Sequence, residues 1–382
     1  MSRGAERRKL MNMFRIADIS STFKIGKDPI NNYPSIVNVE VKSEYKRFVF
    51  KLPVGLNPAD FNKKTFIIDQ TYGSNYELDS KDNVYCLTVH SKVRSMSNKY
   101  DFSEYDLSPY KLPIVAGKDR NGTTHIYDMV RYPHLLLAGE TGSGKSTELR
   151  AILTTLILSN KNVHLYLADL KRSEFHLFKR IDKVKEVVHD VSGLSRIMSY
   201  LSREMERRGD LLDEAEVMHI DDLENPPPYI ILCIDEVALL KKEKAIMGKV
   251  EDVSAIGRAL GVFLILSMQR PDKDVLDGKL KNNLTVRMAF AHADKINSDI
   301  TLGRGSKYNA EKLEEPGRMY FKNKGVMELQ APLLEADPAK KLLQPFKVDT
   351  VVKDELSAIH DGEVQEDSTE NIFGLLGGND NE

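Results

Sequence analysis

With 382 residues, 41% hydrophobic and 29% charged, the chain has the balance of a soluble protein and room for two or three cored domains. Two cysteines, Cys86 and Cys233, exclude a disulfide scaffold and a cysteine-based zinc cluster. No run approaches the roughly 18 apolar residues that a membrane-spanning helix needs, so a reduced, cytoplasmic chain is expected. The net charge of −2 conceals an asymmetry: residues 353–382 hold one Lys against nine Asp/Glu, which leaves +6 on the remaining 352 residues. A polyanionic partner is therefore compatible with the near-neutral total.

Residues 1–34 read as a basic N-terminal segment, with seven Lys/Arg against Glu6 and Asp18 in the first 27 residues. Leu10, Met13, Phe14 and Ala17 recur at helical spacing. The segment is thus either an amphipathic helix lying on a membrane or a partner, or a solvated terminus with one short helix. Residues 35–112 read as a small α+β module and linker. Strands are expected at 36–41, 48–52, 66–68 and 84–89, and a short helix with Asn57 as its N-cap and Pro58 at its first position. The stretch 93–112, polar and rich in Tyr and Ser, reads as the linker.

From 113 to 335 apolar runs alternate with amphipathic helices. The runs at 135–138, 163–168, 229–234 and 262–267 fit parallel strands buried on both faces. The fold class expected is α/β, a P-loop NTPase (RecA-like) domain with a mainly parallel sheet. Residues 336–382 read as an acidic tail without fixed structure. Within it Ile372-Phe373-Gly374-Leu375-Leu376 is an apolar island that could dock on a partner.

Gly139-Glu140-Thr141-Gly142-Ser143-Gly144-Lys145-Ser146 fits the P-loop pattern G-x-x-x-x-G-K-[ST] without a mismatch, and Thr147 completes the expected nucleotide contacts. Its glycines let the backbone N–H groups curl inward around phosphate oxygens, and the following helix adds its positive end. Lys145 is expected to reach the β/γ-phosphates of ATP and Ser146 to coordinate Mg²⁺. The apolar run 229–234 ends in Asp235-Glu236. Asp235 is expected to hold Mg²⁺, and Glu236 to orient the attacking water. The run 262–268 ends in Gln269, placed where it could sense the γ-phosphate. Cys233 reads as core filler.

Taken in order, Pro133 to Gly139, Asp169-Leu170-Lys171, Glu204 to Arg208, Gln269-Arg270-Pro271 and Gly317-Arg318-Met319-Tyr320 resemble the motifs of the FtsK/SpoIIIE family of ring-forming DNA translocases. The family usually has an acid where Arg318 stands. The segment around Leu52 to Leu56 resembles a module that precedes the motor in coupling proteins of Gram-positive conjugative elements. Those relatives usually carry membrane helices near the N-terminus, and none is read here. The resemblance implies a hexameric ring around DNA, duplex or single-stranded, with ATP between subunits. It also implies an arginine finger from a neighbouring subunit, with Arg258 in the matching place and Arg287, Arg304 and Arg318 as the other candidates. Lys273, Lys279, Lys281, Arg304 and Lys307 are the candidate contacts to DNA phosphates. Asp272, Asp274 and Asp277 interleave with the first three.

The expected function is an ATP-driven DNA translocase in the transfer or maintenance of a mobile element. A relaxase or other transfer protein is the expected partner, and a partner would bring the chain to the membrane. The alternative is a P-loop ATPase acting as a protein-bound switch or assembly factor without DNA. The Asp235-Glu236 pair argues against a substrate kinase.

Overall fold

The computed structural model describes residues 2–25, 28–43, 45–73, 76–90, 98–276 and 278–349. The chain divides into two units, Met1–Ser95 and Met96–Glu382.

The first unit runs α1 (Arg3–Ile16), β1 (Ser21–Ile25), β2 (Asp28–Asn32), β3 (Ser35–Val41), β4 (Tyr45–Lys51), α2 (Pro58–Lys63), α3 (Phe66–Tyr72), β5 (Tyr76–Lys81) and β6 (Val84–His90). β1 and β2 pair as a ribbon, and the other four strands form an antiparallel sheet in the order β3-β4-β6-β5. One face of such a sheet needs an apolar cover. α1 supplies it: Leu10, Met13 and Phe14 are buried in one cluster with Phe48, Phe50, Phe61 and Leu87. The helical stripe is therefore the core of its own module. This corrects both sequence expectations for the segment, the helix resting on a membrane or partner and the solvated terminus. α2 begins as expected, with the Asn57 side chain accepting from the Ala59 N–H at 2.9 Å and Pro58 in the first turn. Residues 66–68, expected as a strand, open helix α3 instead. Ile67 and Ile68 turn inward while Phe66 is exposed. A three-residue apolar run does not distinguish the two periods, and packing decided.

The second unit runs β7 (Pro113–Lys118), β8 (Thr124–Asp128), β9 (Leu135–Ala138), α4 (Lys145–Ser159), β10 (Val163–Asp169), β11 (Val184–Val188), α5 (Val191–Glu214), β12 (Tyr229–Asp235), α6 (Lys244–Ile256), β13 (Val262–Met268), α7 (Gly278–Asn283), β14 (Val286–Ala289), α8 (Lys295–Leu302), β15 (Arg318–Lys322), β16 (Val326–Gln330) and α9 (Ala336–Leu343). They build one ten-stranded sheet in the order β11-β10-β12-β13-β9-β14-β15-β16-β7-β8. The strands from β11 to β14 are parallel, and the other four add antiparallel. Alternation along β12 feeds two cores. Ile231 and Cys233 pack with Leu149, Ile152 and Leu156 of α4. Ile230, Leu232 and Ile234 pack with Leu194 and Leu201 of α5 and Val250 of α6. Cys233 is fully buried, and burial pushes its thiol pKa well up, as core filler requires.

Two boundaries differ from the sequence reading. Residues 98–112 belong to the second unit rather than to a linker. Tyr100 and Tyr105 are buried there, and the Tyr100 hydroxyl lies 2.9 Å from Thr155 Oγ1 of α4. Residues 336–349, expected in the tail, include α9, whose Ala339 and Leu343 are buried. Small and apolar residues one turn apart gave α9 a face to bury, which the acidic composition further on masked. The remainder of the expected tail, with its apolar island, lies outside the described residues, as do Asp277 and residues 91–97.

Candidate active site

The P-loop links β9 to α4, and its conformation follows from its glycines. Gly144 caps α4 at φ +100°, where a Cβ would meet the Gly317 nitrogen at 2.5 Å. The Gly317 N–H donates to Ser143 O at 2.8 Å. The turn before β15 thus braces the loop, which gives the Gly317-Arg318 motif a structural role. A Cβ at Gly139 would lie 2.6 Å from Phe290 Cβ. The N–H groups of Gly139, Glu140 and Ser143 donate to Met268 O, Ala291 O and Glu140 O. Among the described residues, those of Thr141, Gly142 and Gly144 have no such acceptor. These open donors stand at a helix N-terminus, the arrangement that receives phosphate.

Parallel pairing brings the charged residues to this loop. β12, β13 and β9 are neighbours, so the ends of β12 and β13 lie beside it. Lys145 Nζ donates to Ser267 Oγ at 2.7 Å and sits 3.5 Å from Asp235 Oδ1. Ser267 Oγ donates to the same Asp235 oxygen at 2.8 Å. All three side chains are buried. Ser267 was not singled out in the sequence, although it is the one hydroxyl in the apolar run Val262–Met268. Ser146 Oγ donates to Glu174 Oε1 at 2.7 Å. Glu174 is held by the loop after β10, where Asp169 accepts from the N–H groups of Ser173, Glu174 and Phe175 at 3.0–3.1 Å. Ser146, Asp235 and Glu174 are hard oxygen donors, the set a magnesium ion takes. Glu174 carried no sequence signal, because nothing local ties it to the P-loop.

Glu236 leaves β12 in a left-handed conformation, φ +59°, which a non-glycine residue adopts at a cost of order 1–3 kcal/mol. Its carboxylate is anchored on both oxygens. Oε2 pairs with Lys171 Nζ at 2.7 Å, and Oε1 accepts from the Gln269 N–H at 3.1 Å. The structure therefore joins Glu236, Gln269 and the Lys171 of the Asp169-Leu170-Lys171 motif, a lysine the sequence left without a role.

The four arginines differ in their freedom. Arg287 is buried and donates to the carbonyls of Leu284, Thr301 and Lys281. Arg318 is bound by Glu315, Glu328 and Gln330. Neither is free to reach a neighbour. Arg258 and Arg304 are exposed. Arg258 precedes β13, whose other end adjoins the P-loop, so it lies about 20 Å from its own nucleotide site by the strand rise. Arg208, from the Glu204 to Arg208 motif, is buried and ties α5 to Leu260 O and Pro228 O; Leu260 stands two residues beyond Arg258. Lys273, Lys279 and Lys307 are exposed. Lys281 is half-buried, and burial, then Arg287 and Arg304, hold its ammonium pKa below the usual range. Lys322 is lowered in the same way by burial, Arg287 and Lys281. Asp272 and Asp274 both pair with Lys241, at 3.0 and 2.7 Å, which takes them away from the neighbouring lysines.

Glu148, in the first turn of α4, is fully buried, and neither carboxyl oxygen has a hydrogen-bond partner among the described residues. Burial pushes its carboxyl pKa well above the usual range. The unfolded carboxyl ionises near 4.5. Stability from this group is thus complete below that pH and is lost as pH rises toward the folded pKa. Glu148→Gln is expected to stabilise the protein at pH 8 by about 1 kcal/mol, roughly 2–4 °C in Tm, and to have little effect at pH 4.5. Thermal melts at the two pH values check this; an equal shift at both would contradict it.

Residues 95–226 match the family model described as the FtsK/SpoIIIE family. Over this segment the chain is similar to that family. The chain is 32% identical over 237 residues to the DNA translocase FtsK of Staphylococcus epidermidis, covering 57% of this chain and 29% of that protein. With the DNA translocase FtsK of Helicobacter pylori it shares 31% identity over 265 residues, covering 65% and 31%. The chain therefore spans about a third of the length of these FtsK relatives. Among solved structures, the pCW3 conjugation coupling protein TcpA in its monomer form with ATPγS superposes with a TM-score of 0.60 at 24% identity, covering 89% of this chain and 99% of that one. EssC (ATPases 2 and 3) from Geobacillus thermodenitrificans superposes with a TM-score of 0.56 at 19% identity, covering 66% and 50%. These superpositions show the fold, the α/β P-loop class expected from the alternating apolar runs.

Proposed function

We propose that the chain is an ATP-driven DNA translocase that works as a ring, in the conjugative transfer or maintenance of a mobile element. The observation that carries the reading is the buried Lys145–Ser267–Asp235 group beneath a P-loop with open N–H donors, in a chain similar to the FtsK/SpoIIIE family over residues 95–226. The P-loop and Lys145 would hold the phosphates of ATP. Ser146 and Asp235 would hold Mg²⁺, which neutralises phosphate charge when bound. Glu236, released from Lys171, would orient the attacking water, and Gln269 beside it would respond to the γ-phosphate. Arg258 would complete the site of a neighbouring subunit. Lys281, half-buried and beside Arg287 and Arg304, would gain from an anionic backbone; the exposed Arg304, Lys273, Lys279 and Lys307 would add charge along the same strand of DNA. The similarity of fold to a conjugation coupling protein supports the transfer context and a relaxase or other transfer protein as partner.

ATP hydrolysis measured without DNA, with single strands and with duplex, at two salt concentrations, tests the reading. DNA is expected to stimulate turnover, and the stimulation to fall steeply as salt rises. Hydrolysis indifferent to every DNA would reject the translocase in favour of a protein-bound switch.

A further inference from the structure

The positive charge of the folded body is not on the motor. Residues 1–95 carry 16 Lys/Arg against 10 Asp/Glu, a net +6, whereas residues 96–352 carry 38 of each. The motor's net charge of zero gives no net long-range attraction for a polyanion, so the basic N-terminal unit is where a net positive charge is found.

α1 concentrates that charge. It holds Arg3, Arg7, Arg8, Lys9 and Arg15, all exposed, against one acid. The acid, Glu6, is on the buried side and pairs with Lys46 at 2.7 Å. No carboxylate of the helix therefore faces outward beside the arginines. Three of the cations also touch the module: Arg7 donates to Ile36 O at 2.9 Å, Lys9 sits over the Tyr72 ring at 4.6 Å, and Arg15 lies 5.9 Å from the centre of the Tyr33 ring. Arg3, Arg8 and Arg15 have no ion pair among the described residues. Arg3 stands in the first helical turn, where a cation opposes the helix dipole, so local helix stability does not account for it. Arg8 and Arg15 are two turns apart on one outward face, about 10.5 Å along the axis. Two guanidinium groups on one rigid outward face, with Arg3 exposed at the start of the helix and the inner stripe locked into the module core, suit contact with phosphates without reading sequence.

We infer that the outward face of α1 is a DNA-backbone docking surface, by which the N-terminal module captures the DNA that the motor moves. The inference rests on the translocase reading and names a second contact for the same substrate.

The test uses the full chain with Arg3, Arg8 and Arg15 changed together to Gln, and a companion in which all three become Lys. Binding to a duplex of about 30 base pairs is measured across a salt series. The Gln variant is expected to bind at least tenfold more weakly at low salt. Its slope of log K against log salt should fall by about 2–3, at roughly 0.9 for each phosphate that is no longer neutralised. Its DNA-free ATP hydrolysis and melting temperature should match the parent's. The Lys companion should keep most of the slope. If the parent binds DNA and the Gln variant binds with the same affinity and slope, the docking surface is wrong and the translocase reading stands. If the parent neither binds DNA nor is stimulated by it, both fail. Unchanged DNA binding with lost binding to phosphatidylserine vesicles would assign the face to a lipid surface and overturn the inference.

Discussion

Lys145→Ala is expected to abolish ATP binding and turnover and also to weaken the fold. The ammonium is the cation nearest the buried Asp235 carboxylate, 3.5 Å away, and the two share Ser267. Removing one partner of a buried pair leaves an uncompensated charge, which typically costs about 3–5 kcal/mol. The stability loss should be largely recovered by adding Asp235→Asn, because the carboxamide needs no counter-ion, while turnover stays lost in both. Denaturant melts of the two single variants and the double variant form the cycle that isolates this coupling. Additive stability effects would show that the lysine and aspartate do not support each other. Near-normal turnover in Lys145→Ala would reject the phosphate role altogether. Glu236→Gln separates the chemical step. The amide keeps the shape and the Gln269 N–H contact but loses the charge that holds Lys171. ATP should still bind while hydrolysis falls by about 10² or more, the scale of a lost general base.

Arg258→Ala should leave ATP binding near normal and remove most hydrolysis, because the exposed guanidinium lies at the end of β13 away from its own P-loop. An arginine finger contributes roughly 10³–10⁵ in rate. Mixing Arg258→Ala with Lys145→Ala subunits should restore activity. A Lys145→Ala subunit keeps its finger, and an Arg258→Ala subunit keeps its nucleotide site, so one intact site forms wherever the first faces the second. The readout is ATPase rate against mixing ratio, with subunit exchange followed separately by labelled chains. No rescue at any ratio, with exchange demonstrated, would move the assignment to Arg304. Arg287 and Arg318 are bound internally and would not take its place.

The chain by itself determined the phosphate loop, the strands that flank it and the acids at the end of β12. These are local properties: glycine spacing sets the curl of the loop, and continuous apolar runs can only be strands or helices buried on all sides. Asn57 before Pro58 was legible for the same reason, since a cap and its helix are neighbours in sequence. What sequence left open depended on contacts between distant segments. Ser267 meets Lys145 across 122 positions, and Lys171 meets Glu236 across 65. Only the convergence of parallel strand ends brings them together. The stripe of α1 looked the same whether it faced a membrane, a partner or its own sheet, because amphipathicity shows that a face is buried and not against what. The short run at 66–68 lacked the length to fix its period, and packing of Ile67 and Ile68 made it a helix. Likewise, an arginine in a sequence carries its charge but not its partners. Arg287 and Arg318 became structural, and Arg258 stayed available, only when the chain folded around them.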